Sequence, residues 1–287
     1  MDFGRLITAM ITPFNSDLKI DWDGFAKVFD YLIEEQESDS LVICGTTGES
    51  PTLTEEEKLQ LFEAAVKRAK GRCKIIAGTG SNDTAHSIHL SQAAEKLGVD
   101  ALLLAAPYYN RPSQEGLYQH FKAVAESVSI PVILYNVPSR SVVNIDADTT
   151  VRLSHIPNIV ATKDCAGTDQ LTRIVSGAAE DFLVYSGDDS SALPALSVGA
   201  HGIVSVASHV VGKEMKRMIE AYSSGNVKAA AQLHAQLLPV FSGLFTFPSP
   251  APVKHALALK GLPAGGVRLP LLPATEDEGR FIASLFQ

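Results

Sequence analysis

The chain has 287 residues, of which 46% are apolar and 20% charged, and its formal net charge is −8. That apolar content supplies a large core and argues against long disorder, while the acidic balance offers no positive stripe for a nucleic-acid backbone. The opening segment MDFGRLITAMITPF carries an acidic residue and lacks both a basic leader and a small-residue cleavage site. No apolar run approaches about 18 residues, so a cytoplasmic protein with no membrane partner is expected.

Three cysteines, Cys44, Cys73 and Cys165, are odd in number and lack C-x-x-C spacing, which speaks against a disulfide framework or a structural zinc site.

Eight short runs rich in Val, Ile and Leu follow one another along the chain. They are Leu6–Ile11, Ser40–Cys44, Lys74–Ala77, Ala101–Ala105, Val132–Tyr135, Ile159–Lys163, Phe182–Ser186 and Gly202–Val206. Amphipathic stretches separate most of them, which is how buried parallel strands alternate with surface helices. The pattern predicts an α/β fold, a (β/α)8 TIM barrel over residues 1–224, because such a barrel takes about 250 residues as one unit. Thr54 ahead of Glu55, Glu56 and Glu57 predicts a capped helix running to about Lys70. Ser113 opens a second, in which Leu117, Phe121, Val124 and Val128 recur at steps of three and four. After about Ser224 the strand signal stops. Helical patterns continue through Leu233, Leu237 and Phe241, around Val253 to Leu259, and near Phe281 to Phe286, so residues 225–287 are expected to form a C-terminal helical extension.

In such barrels chemistry gathers at the C-terminal strand ends. Lys163 ends the sixth run and shares parity with Ile159 and Ala161, which aims it into the barrel. Burial there favours a neutral amine able to attack a ketone and form an imine; the competing reading is a lysine that snorkels to solvent. Tyr135 presents a phenol to the same cavity and could pass protons with a second hydroxyl, for which Thr46 and Tyr109 are candidates, or it could simply pack. Arg140 offers a planar fork for a carboxylate, or a surface ion pair. The Thr46-Thr47-Gly48 turn can cradle a small carboxylate, or be an ordinary turn. His86 and His89 have no evident third partner, so a solvated helix face is expected rather than a metal site. Asp188 and Asp189 are adjacent and should face apart. Cys44 and Cys165 flank the site without an identifiable base, and burial as small apolar residues is expected.

Taken together, GTTGES at Gly45 to Ser50, AGTGSN at Ala77 to Asn82, PYYNRPSQEGLYQHF at Pro107 to Phe121, YNVPSR at Tyr135 to Arg140, Lys163, and SGDD at Ser186 to Asp189 resemble the dihydrodipicolinate synthase and N-acetylneuraminate lyase superfamily over nearly the whole chain. The resemblance implies that Lys163 forms a Schiff base with pyruvate and that Tyr135, Thr46 and Tyr109 relay protons, Tyr109 coming from a neighbouring subunit. It further implies that Thr47 and the Thr46 backbone hold the pyruvate carboxylate, that Arg140 receives the carboxylate of aspartate semialdehyde, and that Gly187 and the Val204 carbonyl line the pocket. A homotetramer built as a dimer of dimers, no metal and no organic cofactor, and a place in lysine and diaminopimelate synthesis are implied in the same way. Arg140 separates this reading from its alternative, a pyruvate-releasing aldolase acting on a sugar acid, whose members generally lack an arginine there.

Two departures from the family pattern stand out. Ser141-Val142-Val143-Asn144 replaces the Thr-Gly that often follows the arginine. Where lysine-inhibited members carry two histidines and a glutamate, this chain has Glu55, Lys58 and His86. Ser50, Asn82 and Tyr108 remain as a possible vestigial effector site, and weak or absent inhibition by lysine is expected.

Overall fold

Strands form where the chain is apolar on both faces. The structure, a computed structural model describing residues 2–287, contains β1 (Leu6–Ala9), β2 (Ser40–Ile43), β3 (Lys74–Gly78), β4 (Ala101–Ala105), β5 (Val132–Asn136), β6 (Ile159–Asp164), β7 (Leu183–Ser186) and β8 (Gly202–Ser205). They are joined in parallel, each to its sequence neighbours, and β8 returns to β1, so the sheet is a closed TIM barrel. Side chains alternate between two cores: Leu102 and Leu104 of β4 face the helices while Ala101 and Leu103 fill the interior. That two-sided burial is why the runs read as continuous hydrophobic blocks rather than as alternating patterns.

Around the barrel lie α1 (Trp22–Glu34), α2 (Glu55–Ala69), α3 (Thr84–Lys96), α4 (Gln114–Glu126), the short α5 (Pro138–Ser141), α6 (Ala147–Leu153), α7 (Thr168–Gly177), α8 (Ala192–Ser197) and α9 (Ser208–Ser223). The Thr54 hydroxyl accepts from the Glu57 backbone N–H and the Glu57 carboxylate accepts from that of Thr54, a reciprocal cap at the start of α2. The Ser113 hydroxyl accepts from Gly116 N at 3.2 Å, and α4 buries Leu117, Phe121 and Val124, with Val128 half-buried just past its end. Three further helices, α10 (Val227–Gly243), α11 (Ala251–Leu259) and α12 (Glu276–Ser284), follow the last strand, and α10 and α11 pack on α9.

One parity expectation fails. Ile159 does not share the interior face with Ala161 and Lys163: it packs in the outer core, because the β5–β6 register shifts so that Val132 pairs with Ile159 while the next residue, Ile133, pairs with Ala161. The irregularity absorbs Val160 and resets the alternation, so that Ala161 and Lys163 point inward.

Candidate active site

Lys163 lies at the C-terminal end of β6 with only 5% of its surface exposed. Among the described residues its amine makes no ion pair and no hydrogen bond, and it sits 4.2 Å from the centre of the Tyr135 ring on the adjacent strand β5. The only other buried lysine among the described residues is compensated: Lys254 of α11 donates at 2.6 Å to both the Glu49 carboxylate and the Gly266 carbonyl. A buried ammonium without partners costs several kcal/mol, so the two lysines answer to different demands. Gly187 leaves room for Lys163: a Cβ there would stand 2.8 Å from Lys163 Cε and 3.0 Å from its Cγ.

Tyr135 also lines an open cavity of about 440 Å3 at the mouth of the barrel, together with Thr46, Ser50, Lys58, His86, Tyr108 and Arg140. Lys163, Thr47, Gly187 and Val204 are not part of the open lining. Val204 belongs to the same interior cluster as Tyr135, and Thr47 is buried on the loop after β2. The Lys163 amine thus packs on the face of a ring that itself lines the open space. Tyr135 and Thr46 both line the cavity, with no hydrogen bond between their hydroxyls among the described residues. Tyr109 is 88% exposed in a left-handed conformation on the loop after β4 and takes no part in the cavity of its own chain.

The loop after β2 is drawn in close. Gly78 has no space for a side chain, since a Cβ would lie 2.3 Å from the Cys44 carbonyl, and the Thr12 hydroxyl donates to the Gly48 carbonyl at 2.7 Å. From behind, Glu49 anchors the same loop: one carboxylate oxygen takes the Lys254 ammonium and the other accepts the Arg268 backbone N–H at 2.9 Å. Arg268 in turn pairs with Glu57 and donates to the Thr52 carbonyl. This ionic anchor was not apparent in the sequence. Its one signal is Lys254 standing three residues before Leu257, on the apolar side of α11.

Arg140 is exposed on α5 at the cavity mouth and has no acidic partner among the described residues, so the ion-pair alternative does not hold. A polar network fixes its loop. Asn136, fully buried, donates to Asn144 Oδ1 at 2.7 Å and to Asp164 Oδ2 at 2.9 Å, and accepts the Ile145 backbone N–H at 2.9 Å. Burial raises the Asp164 pKa against the donors that surround it, Ala166 N, Asn136 and Gln170. Val142 closes the turn with φ of 60° and 63% exposure, a left-handed conformation costly for a β-branched residue. Val142→Gly should remove about 1–2 kcal/mol of strain and return about 0.4–1 kcal/mol as unfolded-state entropy, a net gain between zero and about 1.6 kcal/mol readable by urea unfolding.

The remaining candidates divide. Ser50 and Tyr108 line the cavity, whereas Asn82 donates to the Tyr108 carbonyl at 3.1 Å and serves to hold that loop. His86 and His89 flank one carboxylate, Glu55, with His89 Nε2 at 3.0 Å, and no group of three or more metal-capable side chains occurs among the described residues. Asp188 caps the turn that follows it, while Asp189 turns inward to accept from the Val206 and Ala207 backbone, and burial raises its pKa to about 6. Burial also raises the Cys44 thiol and pushes Cys165 up to about 11, so neither is a thiolate at neutral pH.

The Dihydrodipicolinate synthetase family model matches residues 2–287. The 4-hydroxy-tetrahydrodipicolinate synthase of Moorella thermoacetica is 55% identical over 285 residues, covering 99% of this chain and 97% of that protein. That of Bacillus subtilis is 54% identical over 286 residues, covering 99% and 98%. The crystal structure of a dihydrodipicolinate synthase from Bacillus anthracis superposes with a TM-score of 0.97 at 54% identity, covering 99% of this chain and 98% of that one. Matched from end to end in sequence and in fold, the chain belongs to the dihydrodipicolinate synthetase family.

Proposed function

We propose that this chain is a lyase that condenses pyruvate with L-aspartate 4-semialdehyde to 4-hydroxy-tetrahydrodipicolinate, in lysine and diaminopimelate synthesis, through a Schiff base on Lys163. One observation carries the proposal: a buried, unpaired amine on a barrel strand, packed against a tyrosine that opens onto a cavity. The neutral amine adds to the keto carbon of pyruvate, and loss of water leaves a protonated imine. The imine withdraws electrons, the pyruvate methyl gives up a proton, and the resulting enamine carbon bonds to the aldehyde carbon of the second substrate. The amino group of that substrate then displaces Lys163 at the imine carbon, closing the ring and regenerating the free amine.

Tyr135, with Thr46 and a Tyr109 supplied by a neighbouring subunit, carries the protons. Exposure of Tyr109 away from its own cavity supports the contribution in trans and, with it, a homotetramer built as a dimer of dimers. Thr47 and the Thr46 backbone hold the pyruvate carboxylate, beside Gly187 and Val204. The proposal needs neither metal nor organic cofactor. It treats residues 1–224 as the catalytic barrel and 225–287 as an extension whose Lys254 and Arg268 brace the loop after β2. No helix among the described residues is long and apolar enough to cross a membrane, and a cytoplasmic location fits the synthesis of an amino acid.

Arg140 assigns the second substrate, since its free fork at the mouth suits the semialdehyde carboxylate; the sugar-acid alternative is not favoured by the relatives. Arg140→Ala should lower kcat/KM for the semialdehyde by roughly 10- to 150-fold, the 1.5–3 kcal/mol of a charged hydrogen bond, while pyruvate still forms its adduct. Equal loss of both steps contradicts the assignment. Lysine should inhibit weakly or not at all, because Lys58 lines the cavity and no carboxylate does. A steady-state assay showing sub-millimolar inhibition would overturn that.

A further inference from the structure

Tyr135 and Lys163 stand one residue before the last rung of the β5–β6 ladder, where Asn136 pairs with Asp164. Strand alternation turns the side chains of that last rung the other way. Tyr135 faces the interior core with Ile133 and Ala161, whereas Asn136 shares the outward parity of Leu134. Behind the 4.2 Å contact of amine and ring, Asn136 Nδ2 donates to Asp164 Oδ2 at 2.9 Å, a side-chain tie across the same two strands. The backbone adds to it: the Asn136 carbonyl accepts the Cys165 N–H, and the Asp164 carbonyl accepts the Gly187 N–H, each at 2.9 Å. The second of these bonds places the glycine that makes room for Lys163.

This tie is costly to bury. Asn136 and Asp164 are 0% and 1% exposed, and the carboxylate has no cation partner among the described residues. Its partners besides Asn136 are Ala166 N on Oδ1 and Gln170 Nε2 on Oδ2, both at 2.7 Å. An apolar pair would fill the same space without burying a charge. A satisfied polar network, unlike an apolar contact, fixes a single register. The strands β5 and β6 need that fixing, because their register shifts between Val132 and Ile133. A one-residue slip beyond that point would turn Lys163 to the outer face.

We propose that Asn136 and Asp164 are positioning residues for the proton transfer that follows imine formation, their bond holding the ends of β5 and β6 so that Tyr135 stays against Lys163. The inference rests on the Schiff-base reading of Lys163. Neither side chain touches substrate. With the bond removed, pyruvate still forms its imine, but the methyl proton leaves more slowly, since a misplacement of about 1 Å costs up to roughly 100-fold in rate.

Incubation with pyruvate in heavy water separates the two steps. Borohydride trapping counts the imine, and proton NMR follows exchange of the pyruvate methyl protons for deuterium, which requires the enamine. At saturating pyruvate, Asn136→Ala and Asp164→Ala should trap as much adduct per chain as the wild-type protein and exchange roughly tenfold or more slowly. Gln170→Ala removes a bond to the same Asp164 oxygen but none between the strands, and Asp164→Asn still offers an oxygen to Asn136. Both should exchange within about threefold of wild type. Wild-type exchange in Asn136→Ala overturns the inference, and so does equal slowing in Gln170→Ala. Loss of trapping together with exchange overturns it too, since the pair would then serve the fold alone. A wild-type protein that traps no pyruvate would sink the Schiff-base reading itself, and the positioning role with it.

Discussion

Replacing Lys163 with methionine is expected to lower kcat by roughly four orders of magnitude or more while leaving the unfolding midpoint unchanged or higher. The first effect follows from removing the nucleophile, for which no neighbouring group substitutes: the Cys165 thiol beside it stays protonated, and Tyr135 is an acid rather than an amine. The second follows from the surroundings. Lys163 is 5% exposed and has no ion pair, so it contributes desolvation cost offset only by the Tyr135 ring face, and an apolar side chain of similar volume removes that cost. Catalytic positions commonly hold stability down in this way. Enzyme kinetics and thermal unfolding on the same preparation read both effects, and a midpoint that falls by several degrees would make Lys163 a structural residue.

The same substitution at the other buried lysine should act in the opposite sense. Lys254→Met leaves the Glu49 carboxylate, its side chain 1% exposed, facing the vacated site with only the Arg268 backbone N–H to satisfy it. Breaking a buried pair from one side costs about 3–5 kcal/mol, which for a chain of this size is a fall of roughly 10 °C in the unfolding midpoint. Pairing it with Glu49→Gln should recover part of the loss, because the stranded charge goes with it. Since Glu49 follows Thr46 and Thr47 on one loop, the single variant should also raise the KM for pyruvate more than it lowers kcat. A loss below about 1 kcal/mol would mean that the pair is solvated in solution and does not brace the loop.

Much of the barrel was legible because its physics is local. Each strand is buried on both faces, and all eight runs predicted as strands lie within one or two residues of their observed bounds. The caps of α2 and α4 were legible for the same reason, since Thr54 and Ser113 bond to groups three residues away. Lys163 was placed inward for a partly wrong reason. Its parity was counted from Ile159, but a strand register is a relation between two strands, and the shift against β5 breaks that count without leaving a mark in the sequence of β6 alone.

The supports of the site were less visible because they join residues far apart in the chain. Glu49 meets Lys254, and Asn136 draws together Asn144 and Asp164, through contacts whose partners no periodicity identifies. Val142 is the reverse case. Its unusual place after Arg140 and Ser141 was noticeable in the sequence, but only the backbone shows that the position demands a left-handed turn. The cavity's lack of acidic lining likewise emerges only when residues from four separate strand ends, those of β2, β3, β4 and β5, are brought together.

The central claim is that Lys163 is the amine that takes up pyruvate. Incubation with pyruvate, reduction with borohydride and peptide mapping by mass spectrometry should place one pyruvate-derived adduct per chain on Lys163, and none on the Lys163→Met protein. An adduct on Lys58 or Lys254 in place of Lys163, or no adduct at all under conditions of turnover, would contradict it.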